Sequence, residues 1–131
     1  MTQPSESGFR IINILILQSN FQREVEINFQ KTIENKLEIN VDGKKIEGTN
    51  NYAIEILALL HGINSEKTEY TFEVKIVGFF EKSGNPSISD DQFVKINAPA
   101  IIFPFIREHI SSLALKGGIG SILLPPLNFV N

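Results

Sequence analysis

The chain has 131 residues, with 12 Lys+Arg against 15 Asp+Glu and a formal net charge of −3. That length predicts one domain with a true core, and 42% apolar against 21% charged residues excludes global disorder. No cysteine is present, which excludes disulfides, thiolate metal sites and Cys nucleophiles, and the absence of a basic block argues against nucleic acid as a partner.

The first eight residues are small and polar and are expected to be disordered, leaving residues 9–131 as a single domain. Met1 to Ser7 has neither a positive n-region nor an apolar run, so it does not read as a secretory signal. No apolar stretch approaches the roughly 20 residues that span a bilayer. The expectation is a soluble, cytoplasmic protein without membrane insertion.

Phe9 to Leu17 reads as a strand that is apolar on both parities, with Phe9, Ile11, Leu15 and Leu17 on one face and Ile12, Ile14 and Ile16 on the other. Such a strand is either central in a covered sheet or capped on its second face by another subunit or a ligand. Residues 18–33 alternate weakly through Val25, Ile27 and Phe29, as an edge strand or an extended crossover. Leu37, Ile39 and Val41 mark a half-buried strand, with Asp42-Gly43 as a turn signal. Tyr52 to Gly62 fits a strand or a helix, and its aromatic and β-branched start favours the strand. Tyr70, Phe72, Val74 and Ile76 give a clear alternation that Gly78-Phe79-Phe80 is expected to end.

Ser83-Gly84-Asn85-Pro86 is a loop, and Ser89 with Gln92 has capping-box spacing for a short helix through Phe93. A long helix follows from near Pro99 to Lys116, stopped by Gly117-Gly118, with Pro104 in its first turn or at a kink. Its apolar residues cover more than one stripe, which predicts burial on two sides and therefore self-association. The segment from Ile122 to Val130 is apolar, but Pro125-Pro126 forbids regular structure. An extended tail packed into a groove is the simplest account.

No catalytic set, metal-ligand set or cofactor motif is found. His61 and His109 lack ligand neighbours at zinc spacing, and His109 is expected to serve structure on a helix face. Gly117-Gly118-Ile119-Gly120 follows a helix rather than opening one, unlike a phosphate cradle. Arg107-Glu108 is the most notable polar pair; a salt link is the simplest role, and it is the one candidate for a polar pocket. The composition points to a binding protein that works through apolar surface.

The stretch Pro99-Ala100-Ile101-Ile102-Phe103-Pro104-Phe105-Ile106-Arg107-Glu108-His109-Ile110-Ser111-Ser112-Leu113, then Lys116-Gly117 and Leu124-Pro125-Pro126-Leu127-Asn128-Phe129, resembles the SecB protein-export chaperone family. Phe9-Arg10-Ile11-Ile12 and Tyr70 to Phe80 extend the resemblance weakly toward the start. It implies an α+β fold, with a four-stranded antiparallel sheet, a crossover after the first strand and a long helix packed on the sheet. It also implies a homotetramer, a dimer of dimers, and no enzymatic activity. In the family a second C-terminal helix and a zinc-binding tail that docks SecA follow the Asn-Phe pair, and both are expected to be missing here. Family acidic positions for SecA docking fall on Gln18 and Gln22, and Glu73 alone keeps its acid.

The function implied is an ATP-independent holdase that binds unfolded or precursor polypeptides and keeps preproteins export-competent. The alternative is a dedicated chaperone of one partner, such as an antitoxin, without SecA coupling. The client groove is expected to be lined by Phe21, Val25, Ile27, Phe29, Leu124, Leu127 and Phe129. The oligomer interface is expected to use Phe103, Phe105, Ile106, Arg107, Glu108, Ile110 and Leu113.

Overall fold

The computed structural model describes residues 8–122 and Leu124. Four strands, β1 (Phe9–Arg23), β2 (Glu34–Lys45), β3 (Asn51–Asn64) and β4 (Lys67–Lys82), form one antiparallel sheet in the order β1-β4-β3-β2. The sequential strands β2, β3 and β4 are hairpin neighbours. Residues 24–33 are the crossover that carries the chain from β1 at one edge to β2 at the other. Period-2 alternation puts Tyr52, Ile54, Ile56, Ala58 and Leu60 of β3 on one face, beside Tyr70, Phe72, Val74, Ile76 and Phe80 of β4. This face carries the core.

Three strand boundaries differ from the sequence reading: β1 runs past Leu17 to Arg23, and glycine explains the other two. Asp42-Gly43 is not a turn, because β2 runs on to Lys45. A Cβ at Gly43 would lie 2.4 Å from Val94 Cγ1, so the glycine admits the helical layer onto the sheet. β4 likewise continues to Lys82 past Gly78, where a Cβ would lie 2.7 Å from Ile102 Cδ1. The actual β2–β3 turn is closed by Thr49, whose N–H and hydroxyl both donate to the Ile46 carbonyl, at 3.2 and 2.8 Å.

The helical layer starts as the capping spacing predicts. The Ser89 hydroxyl accepts from the Gln92 N–H at 3.0 Å and opens α1 (Asp90–Gln92). Asp90 in that first turn accepts from the Tyr52 hydroxyl at 2.7 Å and from Lys82 Nζ at 2.9 Å. These two donors, Lys82 first, hold its carboxyl below the usual carboxylate value, while burial and Asp90 push Tyr52 up to about 12. No break separates the short helix from the long one. A π-helical turn, Phe93–Asn97, joins α1 to α2 (Ala98–Lys116). That turn drives Phe93 into the sheet, stacked on Phe9 at 3.8 Å and edge-on to Phe80 at 5.0 Å between ring centroids. α2 ends at Gly117, as expected from the sequence.

α2 lies on the core face. Ile102, Phe103, Ile106, Ile110 and Ala114 form its buried stripe, with a four-residue repeat from Ile102 onward. Pro104 is inside the helix, well past its first turn, and on the exposed side. There the carbonyl of Ala100, which loses its N–H partner, can face water. Gly8, counted with the loose start in the sequence reading, is held by its carbonyl accepting from the Ser83 N–H at 2.9 Å. Residues 1–7 lie outside the described part.

β1 is an edge strand, not a central one. Its simple face parity also fails, because the register slips at Ile12 and again at Leu17. Each slip places one extra residue in β1 against β4 and resets which residues face the helix. Phe9 and Ile11, then Ile14 and Ile16, then Ser19 and Phe21 share a face with the core residues of β4. Five apolar residues of the strand, Ile11, Ile12, Leu15, Ile16 and Leu17, are left exposed.

Candidate apolar binding surface

The expected groove residues separate into four groups. Phe21 and Ile27 are half-buried and pack against the core, and the Phe21 ring lies 4.8 Å from the Phe72 ring. Leu124 is buried within the core cluster and is not available to line an open groove. Val25 and Phe29 stand out on the crossover, 91% and 48% exposed. Leu127 and Phe129 lie outside the described residues. The crossover therefore presents two outward apolar side chains and two inward ones, Ile27 and Ile33, that fix it to the core.

The crossover is hydrogen-bonded and ion-paired to the start of β4 at Glu24. The Glu24 N–H donates to the Glu69 carbonyl at 2.9 Å, and Lys67 Nζ bridges the carboxylates of Glu24 at 3.4 Å and Glu69 at 3.6 Å. The Glu24 bond first, then the charges of Glu69 and Glu24, keep the Lys67 ammonium above its ordinary pKa. Glu69 itself is buried, and the ion pair with Lys67 is what its Oε1 has, since no hydrogen-bond donor reaches that atom. A hollow of about 610 Å³ opens here between the crossover and the β3–β4 hairpin, walled by Arg23, Val25, Ile27, Lys67 and Glu69.

Arg23 was not singled out by its sequence context, which is a lone cation at a strand end. In the fold it is the junction of three elements. Nε donates to the Glu24 carbonyl at 2.8 Å, Nη2 to the Val25 carbonyl at 2.9 Å, and Nη1 to the Gly117 carbonyl at the end of α2 at 2.6 Å. The guanidinium carbon also lies 6.0 Å from the centre of the Phe29 ring.

The expected interface residues on α2 divide in the same way. Phe103, Ile106 and Ile110 belong to the chain's own core and cannot face a second subunit. They occupy the stripe that meets β3 and β4, and a helix has one such stripe per sheet. Phe105 is 49% exposed on the opposite side, with Glu108 exposed beside it, while Arg107 and Leu113 are half-buried. Leu115, which the sequence reading did not place at the interface, is 68% exposed. Arg107 lies over the Phe103 ring at 5.8 Å, a cation on an aromatic face rather than a link to its neighbour Glu108. The two do not converge on an enclosed polar pocket: Glu108 borders an open hollow with Pro104 and Phe105.

On the outer face of the sheet, the Glu73 carboxylate accepts from Gln18 Nε2 at 2.8 Å and Asn20 Nδ2 at 3.0 Å. Its one acidic charge is thus dressed by two amides from β1. His109 meets Ser19 Oγ through Nε2 at 2.8 Å and ties α2 to β1, a contact the sequence spacing of ninety residues did not signal. His61 lies half-buried on the outer face, 3.4 Å from Thr71 Oγ1. Among the described residues no group of His, Asp or Glu is placed to hold a metal ion, and no helix is long and apolar enough to cross a membrane.

Residues 8–131 match the family described as preprotein translocase subunit SecB. The protein-export protein SecB of Halorhodospira halophila is 38% identical over 82 residues, covering 63% of this chain and 47% of that one. The protein of the same name from Legionella pneumophila is 26% identical over 129 residues, covering 97% and 80%. The chain spans about half the length of the first curated relatives it matches. Among solved structures, a SecB-like chaperone of Mycobacterium tuberculosis in complex with a ChAD peptide from an antitoxin superposes with a TM-score of 0.81 at 13% identity, covering 95% of this chain and 94% of that one. At that identity the likeness concerns the fold.

Proposed function

The chain belongs to the SecB family, and from that premise we propose that it is an ATP-independent holding chaperone for unfolded polypeptides. The observation that carries this reading is the crossover, which holds Val25 and Phe29 out to solvent while Ile27 and Ile33 pack inward. A folded protein offers no continuous apolar segment to such a ledge, whereas an unfolded one does. Binding by area burial, at about 25 cal/mol per Å², is indifferent to sequence and suits many clients. No nucleotide site enters the mechanism. Client segments lie along the crossover and the hollow beside it, and extended stretches can add main-chain pairing at a sheet edge.

The working assembly in this proposal is a cytoplasmic homotetramer, a dimer of dimers. Two unpartnered apolar surfaces support it. One is the outer side of α2 with Phe105 and Leu115; the other is the β1 edge with Ile11, Ile12, Leu15, Ile16 and Leu17. Exposed apolar area of that kind on one protomer marks a partner surface. Several weak client sites on one assembly would then bind a long chain with avidity.

A second reading has an observation of its own. Glu73 accepts from the amides of Gln18 and Asn20, and the two family acidic positions on β1 are the neutral Gln18 and Gln22. Coupling to SecA through that face is accordingly proposed to be weak, and a dedicated role with one aggregation-prone partner such as an antitoxin follows if general holding fails. The test is aggregation of several unrelated denatured proteins, followed by light scattering with and without the chain. Suppression across all of them supports the holdase. Protection of a single partner supports the dedicated role, and protection of none overturns both.

A further inference from the structure

We propose that the face of the Arg23 guanidinium is a binding platform for an aromatic side chain of the client, covered in the free protein by the chain's own Phe29. The inference rests on the chaperone reading and names one residue that selects within it.

Three observations lead here. First, each nitrogen of the guanidinium donates to a main-chain carbonyl: Nε to Glu24, Nη2 to Val25 and Nη1 to Gly117. Those bonds lie in the plane of the group, spend three of its five N–H donors and fix its orientation. A guanidinium held in this way presents a fixed flat cationic face, and the ligand that suits a flat cation is an aromatic ring. Second, an aromatic ring is already there. Phe29 sits with its centroid 6.0 Å from the guanidinium carbon, at the outer limit of a cation–π contact. Third, that ring is a loose occupant. Phe29 is at the tip of a turn closed by the Lys31 N–H on the Asn28 carbonyl at 3.3 Å and by the Gln30 N–H on Asn28 Oδ1 at 3.0 Å, and 48% of the residue is exposed. In the adjoining hollow, whose other walls are polar (Glu26, Asn28, Asn64, Lys67 and Glu69), Val25 and Ile27 supply the apolar contacts for a ring entering from solvent.

Phe29 therefore shows the chemistry the platform accepts and competes with the client for it. An aliphatic client side chain gains the walls but not the cation. The platform makes aromatic segments the preferred ones without excluding others, and swinging Phe29 aside exposes it without disturbing the core.

The experiment uses a short extended peptide with one Trp at its centre. The chain contains no Trp, so the peptide's emission reports its own binding. Two competitors carry Phe or cyclohexylalanine at the same position, equal in bulk and different in π face. The full chain is expected to bind the Phe competitor about two- to fivefold more tightly than the cyclohexylalanine one. Arg23→Met is expected to bind both equally. Phe29→Leu, which keeps Arg23, is expected to bind the Phe competitor more tightly than the unaltered chain does, with the cyclohexylalanine competitor changed less. The ratio of the two competitors is the readout that a merely structural loss at Arg23 would not move. Equal binding of both competitors to the unaltered chain overturns the platform and leaves the chaperone reading standing. A preference that survives Arg23→Met also overturns it. Binding of no peptide by any variant removes the chaperone reading and the platform together.

Discussion

Gly117→Ala tests whether the end of α2 and the crossover region form one packed unit. Gly117 has φ −83° and ψ 2°, so alanine can adopt its backbone without strain. Taken alone, Gly→Ala at a compatible position stabilises by about 0.4–1 kcal/mol through the unfolded state. The added Cβ, however, would lie 2.3 Å from both Cε2 and Cζ of Phe21. An ordinary carbon contact needs about 3.5–4.0 Å, so the ring must retreat by more than about 1 Å. It has little room, since its centroid is 4.8 Å from the ring of the fully buried Phe72. Overpacking of this kind costs about 1–3 kcal/mol, and it wins: the net expectation is a loss of about 0.5–2 kcal/mol. The assay is urea unfolding followed by far-UV circular dichroism at fixed protomer concentration, because association adds to apparent stability. Phe21→Leu should cost stability in the parent and cost less, or restore some, in Gly117→Ala. The cycle should therefore show a coupling of about 0.5–3 kcal/mol. A neutral or stabilising Gly117→Ala, or strictly additive changes, would refute the reasoning.

Three further outcomes follow from the same coordinates. Phe105→Asp, on the outer side of α2, should lower the mass measured by light scattering while leaving the circular dichroism spectrum unchanged, and an unaltered mass would remove this helix face from the interface. Asp90 has its folded pKa depressed, first by the Lys82 bond and then by the Tyr52 hydroxyl. Its stabilisation is therefore fully present above the unfolded value of about 4 and is lost as pH falls through the lower folded one. With a side chain 46% exposed, screening limits that contribution to about 1 kcal/mol or less, and Asp90→Asn should flatten the urea midpoint against pH below about pH 4. Ser89→Ala removes the acceptor for the Gln92 N–H and should cost about 1 kcal/mol in the same unfolding assay.

How much of this was legible in the sequence depended on whether a signal was local. The alternation from Tyr70 to Ile76, the Ser89 cap and the Gly117 stop are set by residues within one turn or strand, and each of these three features is present as read. Gly43 and Gly78 misled because a glycine reads as a turn locally, whereas here each is a gap filled from another layer, by Val94 and Ile102. The two-sided appearance of α2 did not say which residues its own sheet would claim. Ile106 and Ile110 went inward because the four-residue repeat from Ile102 sets one stripe, and Phe105 lies off it. In the candidate site, the exposed Val25 and Phe29 were within the expected set, and Leu124 was spent on the core instead. Arg23 was invisible, since its carbonyl partners include one 94 residues away and main-chain acceptors carry no residue signature.

The two slips in β1 have a consequence for how this chain can change in length. Ile12 and Leu17 each stand as a surplus residue opposite β4. Removing either one would straighten the local pairing and leave every residue on both sides of it in its present orientation. The same deletion inside β3, where Tyr52, Ile54 and Ile56 alternate without interruption, would turn half the strand inside out. Single-residue gain and loss can therefore accumulate along the edge strand, while the alternating run of β3 is held to a fixed count.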